Sequence, residues 1–248
     1  MNPSTTARSL DGRVILVTGA TGGIGRAVAL ACARAGATVV LHGRNPQRLE
    51  ALYDEVAGAG GPEPAALPLD LASAGARQFD ALAADVDQAC GRLDGIAHCA
   101  AHVPRLAAVD GLPPDEWTTT LRVNVVAALG ITRASLPLLR ASGSAAVIYT
   151  LESHHGGGDA YLAALAVPGA ALAQALRIQA TEWSAFAGLR CHGLVPGPVD
   201  SPSRRRTHPG EPRSSLPPAD SVAGAYVRLL DPGCGVASGG ILDAAALS

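Results

Sequence analysis

The sequence predicts an α/β domain of the doubly wound kind: a single unit with a mostly parallel seven-stranded sheet and helices on both faces. Three observations predict it. Seven short apolar runs alternate with helical patterns from one end of the chain to the other. The runs are apolar throughout, without polar alternation, as strands covered on both faces must be. A glycine-rich turn joins the first run to the first helical pattern, where such folds bind phosphate groups. A chain of 248 residues can bury a sizeable core. It is 48% hydrophobic and 16% charged, against about 25% charged in an average globular protein, so burial should be extensive.

RVILVTGA (13–20) reads as a buried strand closed by glycine, and GIGRAVALACARAGA (23–37) as a helix ending at Gly36, a residue suited to a C-terminal cap. TVVLHG (38–43) is the second strand. PQRLEALYDEVAGAG (46–60) is the second helix, with Pro46 in its first turn. AALPLDL (65–71) is a strand, 76–93 a helix, and DGIAHCAA (94–101) the fourth strand. Residues 114–142 form a long helix, with a break expected near Pro137 because proline lacks the donor N–H. AAVIYTL (145–151) is the fifth strand. The helix that follows lies within 159–183 and is expected to begin or kink at Pro168. LRCHGLVPGPV (189–199) is the sixth strand and its exit. ADSVAGAYVRLL (219–230) is a helix capped by Asp220 or Ser221, and SGGILDA (238–244) a last short strand. One segment breaks the rhythm: 200–218, rich in Pro, Ser and Arg, reads as a flexible loop on the substrate side, and residues 1–12 as a tail.

Net charge is −2, so attraction to nucleic acid or to an anionic membrane is not expected. The N-terminal segment lacks the apolar stretch of a signal peptide, and no apolar run approaches the ~18 residues of a spanning helix; a cytoplasmic protein is the expectation. Five scattered cysteines form neither a disulfide framework nor a zinc pattern. His98, His102, His154 and His155 match no metal-ligand spacing, so no metal is expected. All 19 basic residues are arginine, and the chain has no lysine.

In VTGATGGIG, Gly19, Gly23 and Gly25 allow a tight turn, close approach of backbone to a pyrophosphate, and close helix–strand packing. The helix N-terminus behind them offers free N–H groups and a positive dipole end. The end of the second strand, LHGRN, selects the cofactor. A site for NAD places a carboxylate there for the ribose 2′-hydroxyl; this chain has Gly43 and then Arg44, whose guanidinium suits a 2′-phosphate. NADP(H) is therefore expected in preference to NAD(H).

Over nearly its whole length the chain resembles the short-chain dehydrogenase/reductase family. TGATGGIG resembles the family's cofactor turn. Asp70 in PLDL matches its adenine-binding acid. Asn124 in WTTTLRVNVVAALGITRASLPLL matches its structural and catalytic asparagine, and PGPV (196–199) matches the turn that meets the nicotinamide amide. The resemblance implies a Rossmann fold, a nicotinamide cofactor, oxidation or reduction at a carbonyl or alcohol, and a homodimer or homotetramer built on the long helices. It implies a cofactor set of Gly19, Thr21, Gly23, Ile24 and Gly25 at the turn. Arg44, Asn45, Asp70 and Leu71 complete the adenosine end, and Ala100, Asn124, Pro196, Gly197 and Val199 the nicotinamide end.

The departures cluster. The family's NNAG reads His98-Cys99-Ala100-Ala101, and His192 stands near the sixth strand where asparagine is usual. Family members pass a proton through a tyrosine whose phenol is acidified by a lysine four residues on, with a serine thirteen residues before the tyrosine. The ungapped register, matched through GAALAQALRIQATEW, places Leu165 on the tyrosine, Gly169 on the lysine and Glu152 on the serine. Placing Tyr161 on the tyrosine instead needs a four-residue deletion and puts Leu165 on the lysine. The candidate catalytic residues are thus Asn124, Glu152 and Tyr161, with Glu152 read as a half-buried acid acting with His154 or His155. Arg204, Arg205 and Arg206 are lid residues at most, and Cys99 a buried strand cysteine. The expected function is an NADP(H)-binding oxidoreductase with a degenerate catalytic site. The alternative is an inactive pseudoenzyme serving as a cofactor-binding or partner subunit.

Overall fold

A computed structural model describes residues 9–153 and 156–247. The strands β1 (Val14–Thr18), β2 (Thr38–Gly43), β3 (Ala65–Pro68), β4 (Gly95–His98), β5 (Ala145–Thr150), β6 (Leu189–Val195) and β7 (Ile241–Asp243) form one sheet. Their order is β3-β2-β1-β4-β5-β6-β7, and every pairing is parallel. Parallel neighbours need a crossover, supplied by helices that cover both faces. On one face lie α1 (Gly23–Arg34), α2 (Pro46–Ala57) and α8 (Ala223–Leu230). On the other lie α3 (Ala76–Cys90), α5 (Ala127–Ala141) and α6 (Ala163–Trp183). Ile15, Val17 and Ile148 point into the first layer, and Leu16, Val147 and Tyr149 into the second. Both neighbours of each such residue are therefore buried, which is why the strands show no polar alternation.

Element ends follow local chemistry. Gly36 takes φ +97° just past α1 and donates to the Ala33 carbonyl at 2.9 Å, the left-handed stop expected of it. Asn45 caps α2 by accepting from the Arg48 N–H at 2.9 Å, with Pro46 directly inside. The amino ends of the strands are tied by charge. Asp94, fully buried, accepts from the Val14 N–H at 2.8 Å, from the Arg92 guanidinium through both oxygens, and from Ser142. Burial opposes ionisation of Asp94, but these donors outweigh it and hold the carboxyl below its ordinary range.

Several expectations are corrected. The helix over 114–142 is not broken at Pro137, which lies inside α5. Pro137 and Arg133, whose carbonyl loses its partner, both face solvent, so water can satisfy the freed group. The irregularity comes earlier, as a π-helical turn at Arg122–Val126 between α4 (Pro114–Leu121) and α5. The combined stretch Pro114–Ala141 is long and apolar enough to meet the length and composition test for a membrane span, contrary to the expectation that no run qualifies. It packs along the sheet through Ala127, Ile131 and Leu139. Residues Ala163–Trp183 form one helix, so α6 neither begins at Pro168 nor stops there; only the second-turn N–H is lost. Asp220 and Ser221 do not cap α8: they lie within a short 3-10 turn, and no side chain caps that helix. The segment read as an irregular loop contains α7 (Pro202–Thr207), capped by Ser201. Arg205 and Arg213 both pair with Asp200, at 2.9 and 2.8 Å, and Arg204 grips Glu211.

Candidate active site

Because the strand order reverses direction between β1 and β4, a crevice opens at their carboxyl ends. The glycine-rich turn lies there and is made of backbone. Gly19 takes φ +64°, and a Cβ on it would stand 2.6 Å from the Ala100 Cα. A Cβ on Gly25 would stand 2.2 Å from the Gly19 carbonyl oxygen. Gly22, at the N-cap of α1, has no side chain to bond the first-turn N–H groups, which leaves them for an anion. The cradle fits a pyrophosphate: each glycine stands where a side chain would push the turn from β4 or from itself. Sequence reasoning missed one wall of it. A Cβ on Gly23 would lie 3.0 Å from the Ser201 Cβ and 3.3 Å from Pro202, so the start of α7 sits directly on the turn.

At the adenosine end, Gly43 admits a close neighbour rather than leaving open space. A Cβ there would meet the Thr21 hydroxyl at 3.3 Å and Leu49 at 3.4 Å. Arg44 is exposed and Asn45 spends its side chain on capping α2. Asp70 is exposed, with one carboxylate oxygen accepting from the Ala72 N–H at 3.1 Å. The side chain of Leu71 belongs to the core, and Ile24 packs against the opposite core layer. His42, beneath the turn, is held neutral: burial pushes its pKa down to about 4. Its Nδ1 lies 3.5 Å from the Gly19 N–H. Past β6, Pro196 is partly exposed, Gly197 takes φ +73° and Val199 is buried.

The end where the proton-transfer residues are expected is built differently. Leu165 is 6% exposed, in a small apolar cluster with Val103, Leu162 and Leu106. Gly169 is buried on the same helix. Glu152 is exposed rather than half-buried. It lies within electrostatic reach of Arg204 on α7 and of Tyr226 on α8. Tyr161 is 62% exposed and holds φ +69°, the one non-glycine residue in that region among those described. His154 and His155 lie outside the described residues. Asn124 sits in the π-helical turn, and its side-chain amide grips the backbone of His102: Oδ1 accepts from the His102 N–H at 2.7 Å and Nδ2 donates to the His102 carbonyl at 2.9 Å.

Two further groupings were not anticipated. Thr150, at the end of β5, bonds the fully buried Tyr226 hydroxyl at 2.7 Å and lies 3.7 Å from the Cys99 sulfur. Burial pushes the Cys99 thiol up to about 12 and the Tyr226 phenol well above its ordinary value, so this trio stays protonated. Cys99 is at the exit of β4 and partly exposed, rather than buried within the strand. The other grouping is His102 with Glu116, 2.5 Å from His102 Nε2 to the carboxylate. The only available signal was a histidine after β4 and an acid in the first turn of α4; their meeting across a long link is not readable from spacing.

A parallel doubly wound sheet with a backbone-lined anion cradle at its switch point defines a dinucleotide-binding α/β protein. The chain belongs to the short-chain dehydrogenase/reductase family. Residues 19–229 match the family model described as enoyl-(acyl carrier protein) reductase. The uncharacterized oxidoreductase YciK of Escherichia coli is 32% identical over 212 residues, covering 85% of this chain and 83% of that protein. A short chain dehydrogenase from Pseudomonas syringae superposes with a TM-score of 0.93 at 34% identity, covering 98% of this chain and 99% of that one. One from Shigella flexneri, solved with NADP, superposes with a TM-score of 0.93 at 30% identity, covering 97% and 100%.

Proposed function

We propose that this chain binds NADP(H) in preference to NAD(H) and acts as an oxidoreductase on a carbonyl or alcohol, without the tyrosine–lysine proton relay. The observation that carries the reading is the end of β2. It places Gly43 and the exposed Arg44 beside an all-backbone phosphate cradle, with no carboxylate to repel a 2′-phosphate. The structural relatives solved with NADP and NADPH support the same direction. Gly19, Gly23 and Gly25 would hold the pyrophosphate, Arg44 the 2′-phosphate, and Pro196 to Val199 the nicotinamide amide. Bound there, the nicotinamide supplies hydride, so the residues around it need only orient the substrate, exclude water and exchange one proton.

A second reading has its own support. Leu165, buried among Val103, Leu106 and Leu162, fills the tyrosine position with a closed apolar contact, as suits a cofactor-binding or partner subunit without turnover. Calorimetric titration with NADPH and NADH, followed by single-turnover absorbance with a carbonyl panel, separates the two. Oxidation of bound NADPH by any member of the panel supports the enzyme; binding without oxidation supports the subunit. Equal affinity for the two dinucleotides sinks the preference.

The exposed Val126, Val167 and Ile178 on the long helices fit a homodimer or homotetramer in which those helices cover one another. Five free cysteines fit a reducing compartment such as the cytoplasm.

A further inference from the structure

We propose that His102 is the proton-exchanging group of this crevice, positioned by Glu116 and Asn124, in place of the phenol–ammonium pair. The inference rests on the oxidoreductase reading above.

Three contacts fix the residue. Its backbone is clamped at both N–H and carbonyl by the Asn124 amide, at 2.7 and 2.9 Å. Its Nε2 meets the Glu116 carboxylate at 2.5 Å. Its neighbour Val103 packs into the apolar cluster that contains Leu165, the position aligned with the missing tyrosine. The link from β4 to α4 and the link from β5 to α6 both leave the carboxyl ends of their strands, and this cluster joins them. His102 therefore stands in the wall where the two links meet.

The chemistry of the pair suits the task. A carboxylate on Nε2 favours the tautomer with its proton on that nitrogen and orients the ring. Among the described residues nothing bonds Nδ1, which is left as the exchanging atom. The side chains of His102 and Glu116 are 31% and 36% exposed, so a substrate can reach them; the fully buried Tyr226 and Tyr149 are closed to it. In the reducing direction, the carbonyl oxygen keeps the π pair as its carbon gains the hydride that a bound dinucleotide would supply, and takes the proton from Nδ1. The neutral imidazole then recovers a proton from water. In the oxidising direction Nδ1 accepts the alcohol proton. Glu116 and Asn124 are positioning residues, since neither touches the reacting atoms.

The test combines labelling with kinetics. Diethyl pyrocarbonate modifies neutral imidazole, and mass spectrometry reads the modification at each histidine. Saturating NADP⁺ is expected to slow labelling of His102 at least about threefold; labelling at an unchanged rate overturns its placement in the crevice. In single turnover, His102→Ala is expected to lose about 100-fold or more, with NADPH affinity kept within about twofold by calorimetry. Added imidazole should restore part of the lost rate to His102→Ala and leave the wild-type rate unchanged, a rescue that a merely structural histidine does not give. Wild-type turnover with an unaffected His102→Ala variant overturns this proposal while the oxidoreductase reading stands. A wild type that binds NADPH but oxidises it with no carbonyl overturns both. A protein that binds no NADPH overturns the cofactor reading itself.

Discussion

At the phosphate end of the crevice the site is backbone. Gly19 rests against Ala100, Gly25 against the Gly19 carbonyl, and the first-turn N–H groups of α1 need no side chain to bind an anion. At the nicotinamide end the family pattern depends on side chains, and in the proposed register its tyrosine and lysine positions fall on Leu165 and Gly169, both buried. The contrast teaches where a fold tolerates change. The cradle cannot lose Gly19 or Gly25 without moving β1, α1 or the exit of β4, because a Cβ there collides with main chain. On the proposed register, the relay positions can vary without disturbing the sheet, because α6 packs on it through Leu172, Ala173 and Leu176.

That contrast can be broken from either side. The largest effect is expected from Gly25→Ala, whose Cβ would press on the Gly19 oxygen. NADPH affinity should fall more than about 100-fold by calorimetry; retained affinity would show that the turn adapts and that the cradle is not the rigid half. Next comes Leu165→Tyr with Gly169→Lys. Burying an ammonium and a larger ring beside Val103 and Leu162 should destabilise the fold by about 3 kcal/mol in urea unfolding. NADPH oxidation should rise less than about tenfold in initial-rate assays. Robust diketone reduction by that variant would mean that the pair alone was missing. Arg44→Ala should weaken NADPH about tenfold to thirtyfold and change NADH less than twofold, as loss of one charged contact to a 2′-phosphate requires. Equal effects on both dinucleotides would remove Arg44 from the phosphate.

The smallest effect tests the frame beneath both ends. His192 is fully buried with neither ring nitrogen bonded among the described residues, and burial pushes its pKa down to about 4. The unfolded chain therefore binds this proton first as pH falls. The stability held above pH ~6.5 is lost progressively toward pH ~4, at about 1.4 kcal/mol per pH unit for one histidine. His192→Leu should be within about 1 kcal/mol of the wild type at pH 7 and should show a shallower fall of Tm over that interval. An unchanged acid limb would assign it to His42 and His98, also neutral by burial.

The strands β2 and β5 and the starts of α1, α2, α3 and α4 were legible because hydrophobic period, glycine and proline act locally. The π-helical turn at Asn124 was not, because a widened turn carries no separate composition signal. The folding of α7 onto Gly23 was not, because Asp200 recruits Arg205 and Arg213 only once the chain has turned back. Pro137 and Pro168 misled for one reason: proline removes a single N–H, and a helix packed on a sheet survives that one loss.

By itself the sequence determined the parallel doubly wound fold, the glycine cradle, the absence of any lysine and the uncharged end of β2 before Arg44. These are properties of single residues and short periods, and they need no partner to be recognised. The tertiary structure decided what faces what: Ser201 against Gly23, Asn124 around the His102 backbone, Glu116 on the His102 ring, and Leu165 closed in by Val103. Such pairings span links whose length is fixed by neither period nor cap. They form only when the strand order brings the carboxyl ends of β1, β4 and β5 side by side.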